Sequence, residues 1–285
     1  MKSRVKSYAS LIKISHTVFA LPFALVGYFL ALREGYPLRW ETLLPVLLCM
    51  FFARSAAMSF NRYVDRRFDA ANPRTALREI PRGVVAPAGA LLFCAANALL
   101  FVATTFFINP LCLALSPVAL AVVLGYSYTK RFTAWCHFIL GLGLAIAPVG
   151  PYLAVSGTLA IAPVLLSVIV LLWSGGFDII YALPDEAFDR GQALRSVPAA
   201  VGRKAALRIS TTVHAACAVA AVGLGFYAMN NVFYWLGCAL FVGCLAYQHR
   251  IVTAGDISRV NVAFATANGV ASVVYAAFCI CGMVI

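Results

Sequence analysis

Apolar residues come in blocks of about 17–25 along this chain, each long enough to cross a bilayer as a helix. Short polar segments, most of them basic, separate the blocks. The apolar/polar alternation of barrel strands is absent, so the spanning elements are helices. Nine spans are predicted, over residues 15–33, 42–63, 87–108, 111–128, 133–155, 161–182, 205–227, 232–248 and 260–282. Asn109-Pro110 divides the third from the fourth. The expected fold is all-α: a polytopic membrane protein, a single domain over 1–285, with about nine helices around a central cavity.

Composition agrees. The 285 residues are 63% hydrophobic and 11% charged, with a mean hydropathy of +0.90. A soluble domain carries roughly 45–50% apolar residues. The basic stretch 1–13 ahead of the first block looks like a signal peptide. The block is longer than a usual apolar signal core, however, and no small-residue cleavage site follows it, so it reads as an uncleaved first helix. The nine cysteines lie in the apolar blocks with no Cys-x-x-Cys and no metal-ligand spacing to histidine. They read as small buried hydrophobes.

The net charge of +12 raises the question of nucleic acid, but the basic residues sit in short loops between spans, which argues against it. Nineteen of the 22 fall in the N-terminus and the second, fourth, sixth and eighth loops. Only Arg33, Arg39 and the intramembrane Arg54 depart from this pattern. By the positive-inside rule the N-terminus is cytoplasmic and the C-terminus outside.

Polar groups inside this pattern carry the candidate chemistry. Asn61, Asp65 and Asp69 close the second span at i, i+4 and i+8. On one helix they drift by only about 40° per step and share a face. A second copy, Tyr181-Ala-Leu-Pro-Asp185-Glu-Ala-Phe-Asp189, lies 120 residues on. Four of the ten acidic residues belong to these two Asp-x-x-x-Asp pairs. Each pair is followed by a related segment, Ala76-Leu-Arg-Glu-Ile-Pro81 and Ala193-Leu-Arg-Ser-Val-Pro198. The matched order suggests duplication, with two pseudo-repeated halves placing their second and sixth spans on opposite sides of one cavity.

Carboxylates one helical turn apart can hold Mg²⁺ while leaving positions for water and phosphate oxygens. Acidic groups at a membrane are costly and usually functional. Four aspartates and a diphosphate ester, set against two Mg²⁺ ions, leave roughly three negative charges to neutralise. Arg74, Arg78, Arg195, Lys130 and Arg131 could supply that neutralisation. A cation transporter would be harmed by them. A transporter is the alternative from another class, but its site would lie near the midplane rather than at the cytoplasmic span ends. Arg54, two turns before Asn61, needs an acidic or other acceptor and could contact an acidic substrate. Asp178 lies seven residues before Asp185 and so on nearly the same face. His16 starts the first span, and Asn97 reads as an interhelical hydrogen-bonding group. His137, His214 and His249 form no pattern.

Taken together, these motifs resemble the UbiA family of intramembrane prenyltransferases. The resemblance rests on Asn61-x-x-x-Asp65-x-x-x-Asp69, Asn72-Pro-Arg-Thr-Ala-x-Arg78-Glu-x-Pro-x-Gly83, Tyr-x-x-Lys130-Arg-Phe-Thr133 and Asp178-x-x-Tyr181-x-x-x-Asp185-x-x-x-Asp189, and it covers nearly the whole chain. Within the family, the start from Ser15 to Pro22 and the runs around Arg78 and Asp178 resemble the 4-hydroxybenzoate polyprenyltransferase-like branch. Some members of that branch serve menaquinone synthesis by the futalosine route. The resemblance implies Mg²⁺-dependent transfer of a polyprenyl chain from its diphosphate to an aromatic acceptor in the bilayer. The acceptor is 4-hydroxybenzoate or a related acid in quinone synthesis, with a dihydroxynaphthoate as the alternative.

Carried over, Asp65, Asp69, Asp185 and Asp189 would hold Mg²⁺, with Asn61 beside them on the diphosphate. Lys130 and Arg74 would neutralise phosphate, joined by Arg78 and Arg195. Arg131 and Arg54 are candidates for the acceptor's carboxylate. Tyr181 counts among the substrate contacts, and the base that takes the ring proton is either Asp178 or the released diphosphate. Leu183-Pro184 departs from the polar residues expected before Asp185, where proline restricts the helix.

Overall fold

The computed structural model describes residues 2–13 and 19–285. His16 and the neighbouring Ser15, Thr17 and Val18 lie outside the described residues. Those described form helices and no strand. In chain order these are α1 (Lys2–Leu11), α2 (Leu21–Arg33), α3 (Trp40–Val64), α4 (Arg66–Ala71), α5 (Pro87–Phe106), α6 (Pro110–Thr129) and α7 (Cys136–Ser156). Then come α8 (Ile161–Tyr181), α9 (Glu186–Gly191), α10 (Val197–Ala228), α11 (Val232–Ile251) and α12 (Asn268–Val284). A single 3₁₀ turn, Leu183–Asp185, precedes α9, and a π-helical segment, Val262–Ala267, leads into α12.

Among the described residues eight helices, the π segment counted with α12, are long and apolar enough to cross a membrane. They correspond to the second through ninth predicted spans. The predicted first span appears as the shorter α2, whose 13 residues extend about 20 Å against a hydrocarbon core of about 30 Å. The seventh differs at its start. Helix α10 begins at Val197, well before the expected residue 205, and is kinked at Gly202 (φ 78°, ψ 164°). Glycine alone adopts that conformation without strain. The apolar block therefore starts only after the kink, and hydropathy detects only that later part.

The chain packs as two compact units, Met1–Thr17 with Trp40–Thr129, and Val18–Arg39 with Lys130–Ile285. In the first, α3 packs on α5 and α6, and α5 on α6. Leu92, Leu99 and Phe106 stay exposed, as lipid-facing side chains should. Of α6, only Ser116, Ser127 and Thr129 are buried.

In the second unit, α7 packs on α8, α8 on α10, α11 on α12, and α2 on α7 and α12. Lipid is as apolar as leucine, so close packing and hydrogen bonds must hold such helices together. Both are present. A Cβ on Gly27 would collide with the Pro148 carbonyl oxygen, and one on Gly176 with the His214 ring. Buried Asn268 accepts from Trp173 Nε1 (2.9 Å) and Gln248 Nε2 (2.8 Å). Its own amide donates to the carbonyls of Ala263 (3.2 Å) and Phe264 (3.1 Å). Those are carbonyls of the π segment, where the wide turn disturbs the ordinary ladder.

Candidate active site

In the first unit the motif straddles a bend. Helix α3 ends at Val64, Asp65 takes φ −87° and ψ 2°, and α4 begins at Arg66. The i→i−4 bonds run through it: Asp65 N–H donates to the Asn61 carbonyl at 2.9 Å, and Asp69 N–H to the Asp65 carbonyl at 2.8 Å. The expected uninterrupted helix is thus corrected to two helices joined at Asp65, with the one-turn spacing kept. Asp65 and Asp69 are both buried. Asn61 Nδ2 donates to Asp65 Oδ2 at 3.1 Å. Arg78 Nη1 pairs with Asp69 Oδ1 at 2.7 Å, and the Thr75 hydroxyl donates to the Asp69 carbonyl at 3.1 Å. Asp69 Oδ2 is buried without a hydrogen-bond partner.

Around this pair, Arg74 is exposed, its N–H held by Asn72 Oδ1 at 3.0 Å. Arg62 is buried within electrostatic reach of Asp69 and Arg78, a guanidinium the sequence pattern did not mark as special. Arg54 was expected to need an acceptor at its depth. Its Nη2 donates to the Lys13 carbonyl at 3.3 Å, while its buried Nε has no partner.

The second unit repeats the arrangement. Helix α8 ends at Tyr181, the turn at Pro184 follows, and Asp185 N–H donates to the Ala182 carbonyl at 3.0 Å. Asp185 takes φ −89° and ψ 0°, close to the conformation of Asp65, and a six-residue helix follows each. Pro184 therefore alters the approach to Asp185 and not its backbone conformation. Asp189 is buried, and its Oδ2 accepts from the Ser196 hydroxyl at 2.8 Å. Burial pushes its carboxyl above the usual range, and Ser196 and the charge of Lys130 oppose that shift. Glu186 is occupied by Arg190 (3.0 Å) and Arg203 (3.1 Å). Tyr181 stacks on Phe264 with ring centroids 4.0 Å apart.

Lys130 and Arg131 stand on the turn between α6 and α7. Arg195 holds that turn at three points. Its N–H donates to the Lys130 carbonyl at 2.6 Å, its Nη1 to the Phe132 carbonyl at 2.9 Å, and its own carbonyl accepts from Cys136 Sγ at 3.5 Å.

The histidines do form pairs. His137 Nδ1 lies 2.7 Å from Asp178 Oδ2. His214 Nδ1 lies 2.9 Å from His249 Nε2, and His214 Nε2 is 3.2 Å from the Trp173 carbonyl. The sequence offered one cue for His137, a histidine at the mouth of an apolar span. Its partner is 41 residues away, beyond the reach of spacing arguments.

Among the described residues no three His, Cys, Asp or Glu side chains cluster into a protein-only metal cage. A hard cation of the Mg²⁺ type fits such a site, because it keeps several waters and uses one or two carboxylates plus phosphate oxygens. The unpartnered Asp69 Oδ2 is a ligand atom of the right kind.

The profile of the UbiA prenyltransferase family matches residues 20–273. The chain belongs to that family. It is 29% identical to a 4-hydroxybenzoate octaprenyltransferase of Nitrosospira multiformis over 279 residues, 97% of this chain and 95% of that protein. Its fold matches the apo structure of a UbiA homolog from Aeropyrum pernix with a TM-score of 0.84 and 30% identity, covering 94% of this chain and 98% of the other. A UbiA homolog from Archaeoglobus fulgidus bound to GPP and Mg²⁺ shares the fold with a TM-score of 0.76 at 18% identity, over 98% and 100% of the two chains.

Proposed function

We propose that this UbiA-family enzyme transfers a polyprenyl chain from polyprenyl diphosphate to 4-hydroxybenzoate, or to a closely related aromatic acid, in quinone synthesis. The observation that carries the proposal is the doubled motif. Each copy has an aspartate at a helix junction with nearly the same backbone angles and a second, buried aspartate one turn on. The named function of the Nitrosospira relative supports the acceptor class. Mg²⁺ bound to the Archaeoglobus homolog supports the cofactor.

On this reading Asp65, Asp69, Asp185 and Asp189 hold Mg²⁺. When bound, the ion offsets charge on the diphosphate as the allylic C–O bond weakens. Asn61 orients Asp65, and Arg78 holds Asp69 by one oxygen, leaving Oδ2 for the metal. Arg74, Lys130 and Arg195 add positive charge for the leaving diphosphate, which is electrostatic stabilisation. Arg54 and Arg131 are the candidates for the acceptor's carboxylate. Tyr181, stacked on Phe264, offers an aromatic wall to substrate. The electron-rich ring attacks the allylic carbon, and Asp178 takes the proton that the ring loses. The motif loops face the cytoplasm, a reading that the basic-residue asymmetry supports. The whole of 1–285 works as one prenyltransferase domain.

The test uses membranes containing the protein, a radiolabelled long-chain prenyl diphosphate, and 4-hydroxybenzoate or a dihydroxynaphthoate, with Mg²⁺ or EDTA. A lipid-soluble prenylated 4-hydroxybenzoate that EDTA abolishes is the expected product. Product from the naphthoate alone moves the enzyme to menaquinone synthesis. Labelled compound accumulating unchanged in sealed vesicles overturns the enzymatic reading.

A further inference from the structure

His137 stands in the first turn of α7 and is almost wholly buried, with 3% of its side chain exposed; 20% of Asp178 is exposed. Both ring nitrogens are engaged. The backbone N–H of Val197 points at Nε2 at 3.2 Å, and Nδ1 faces Asp178 Oδ2 at 2.7 Å. A backbone N–H can only donate, so Nε2 must present its lone pair, and the ring proton must be on Nδ1. This geometry selects the Nδ1–H tautomer, donating to the carboxylate. Val197 opens α10, and its N–H is one of those left without a partner inside the helix. The neighbouring Ser196 caps the same helix and also donates to Asp189 Oδ2 at 2.8 Å. Two adjacent residues at one helix start thus anchor two acidic side chains, Asp189 directly and Asp178 through His137.

We infer that His137 is a positioning residue for the prenyl transfer: held in one tautomer by Val197, it fixes Asp178 through Oδ2 so that the other carboxylate oxygen meets the ring proton. This rests on the reading of Asp178 as the base. In that step the ring C–H bond breaks, its electron pair restores aromaticity, and the proton forms an O–H bond on Asp178. A buried imidazole supporting a partly exposed carboxylate divides the work, since one side chain gives direction and the other stays reachable.

Two variants separate this role from simple packing. Asparagine places an amide N–H near the Nδ1 position and can still donate to Asp178. Glutamine reaches the Nε2 position and can still serve Val197, but loses the donor to Asp178. In membranes, with prenyl diphosphate and 4-hydroxybenzoate, His137→Gln should lower kcat by about 10- to 100-fold with KM for both substrates little changed. His137→Asn should recover most of the loss. Ring-deuterated 4-hydroxybenzoate should show a larger isotope effect on kcat in His137→Gln than in the wild type, because proton removal has become slower.

A drop in kcat with an unchanged isotope effect, or equal losses in the Asn and Gln variants, overturns the inference. So does a wild-type kcat in His137→Gln. An inactive wild type refutes the proposed function instead, and an Asp178→Asn enzyme with full kcat refutes the base. The tautomer can be read without turnover: ¹⁵N-histidine spectra of the four-histidine chain should show one residue protonated at Nδ1 and bare at Nε2. The opposite tautomer at His137 also overturns the inference.

Discussion

The second aspartates of the two motifs differ in how they are held. Asp69 gives one oxygen to Arg78 and keeps a buried, unpartnered one, while Asp189 is hydrogen-bonded by Ser196 under the field of Lys130. Each motif is nevertheless expected to matter for turnover. Asp65→Ala and Asp185→Ala should each lower turnover by about 10³-fold or more while the protein still inserts, as removal of transition-state charge stabilisation does. Near-normal turnover in either variant would remove that residue from the metal site. Arg195 calls for a different experiment. Its contacts to the Lys130 and Phe132 carbonyls make it a holder of the turn as well as a charge. If it acts by placing Lys130, its loss and that of Lys130 share one effect. Lys130→Ala, Arg195→Ala and the double variant should then be non-additive in kcat/KM, the double falling little below the worse single. Additive losses would show that Arg195 works on the diphosphate independently.

At the level of elements, the spans were legible because a helix in lipid needs a long apolar block, and blocks survive averaging over a window. The interruptions were not legible for the same reason. Averaging passes over the bend at Asp65, which keeps its hydrogen bonds, and over the kink at Gly202, which lies in a polar stretch. The motif spacing was read correctly as one turn, although the helix carrying it was not continuous. The His137–Asp178 pair depends on α7 packing against α8, and nothing in local spacing encodes it. Helix packing itself rests on small residues. Gly27→Ala drives a Cβ against the Pro148 backbone, and Gly176→Ala drives one into the His214 ring, itself held by Trp173 and His249. Overpacking of this kind costs roughly 1–3 kcal/mol, more where a backbone atom must give way. Both variants should lose thermal stability in detergent, Gly27→Ala the more. Gly243→Ala in α11, where no atom lies within 4 Å, should keep or slightly raise it. Equal stability in all three would mean that these close approaches do not hold the helices together.

For the whole molecule, charge and length make competing demands at α2. Its 13 residues alone are short of a full crossing. If the first apolar block failed to cross and the N-terminus stayed cytoplasmic, the end of α3 and the segment after it, with Arg62, Arg66, Arg67, Arg74, Arg78 and Arg82, would be carried to the outer side. The positive-inside rule opposes exporting six arginines close to a span end. The first block should therefore cross despite the shortness of its described helix, giving an odd number of crossings and opposite sides for the two termini. Truncated fusions to a reporter that fluoresces only in the cytoplasm should be bright after Gly83, Lys130, Gly191 and Ser258. Fusions after Tyr36, Ile108, Gly157 and Met229 should be dark, and active instead with a reporter that folds only outside. A bright fusion at Tyr36 together with a dark one at Gly83 would reverse the assignment for both motifs. It would then place the aspartates on the outer face and overturn the cytoplasmic site proposed above.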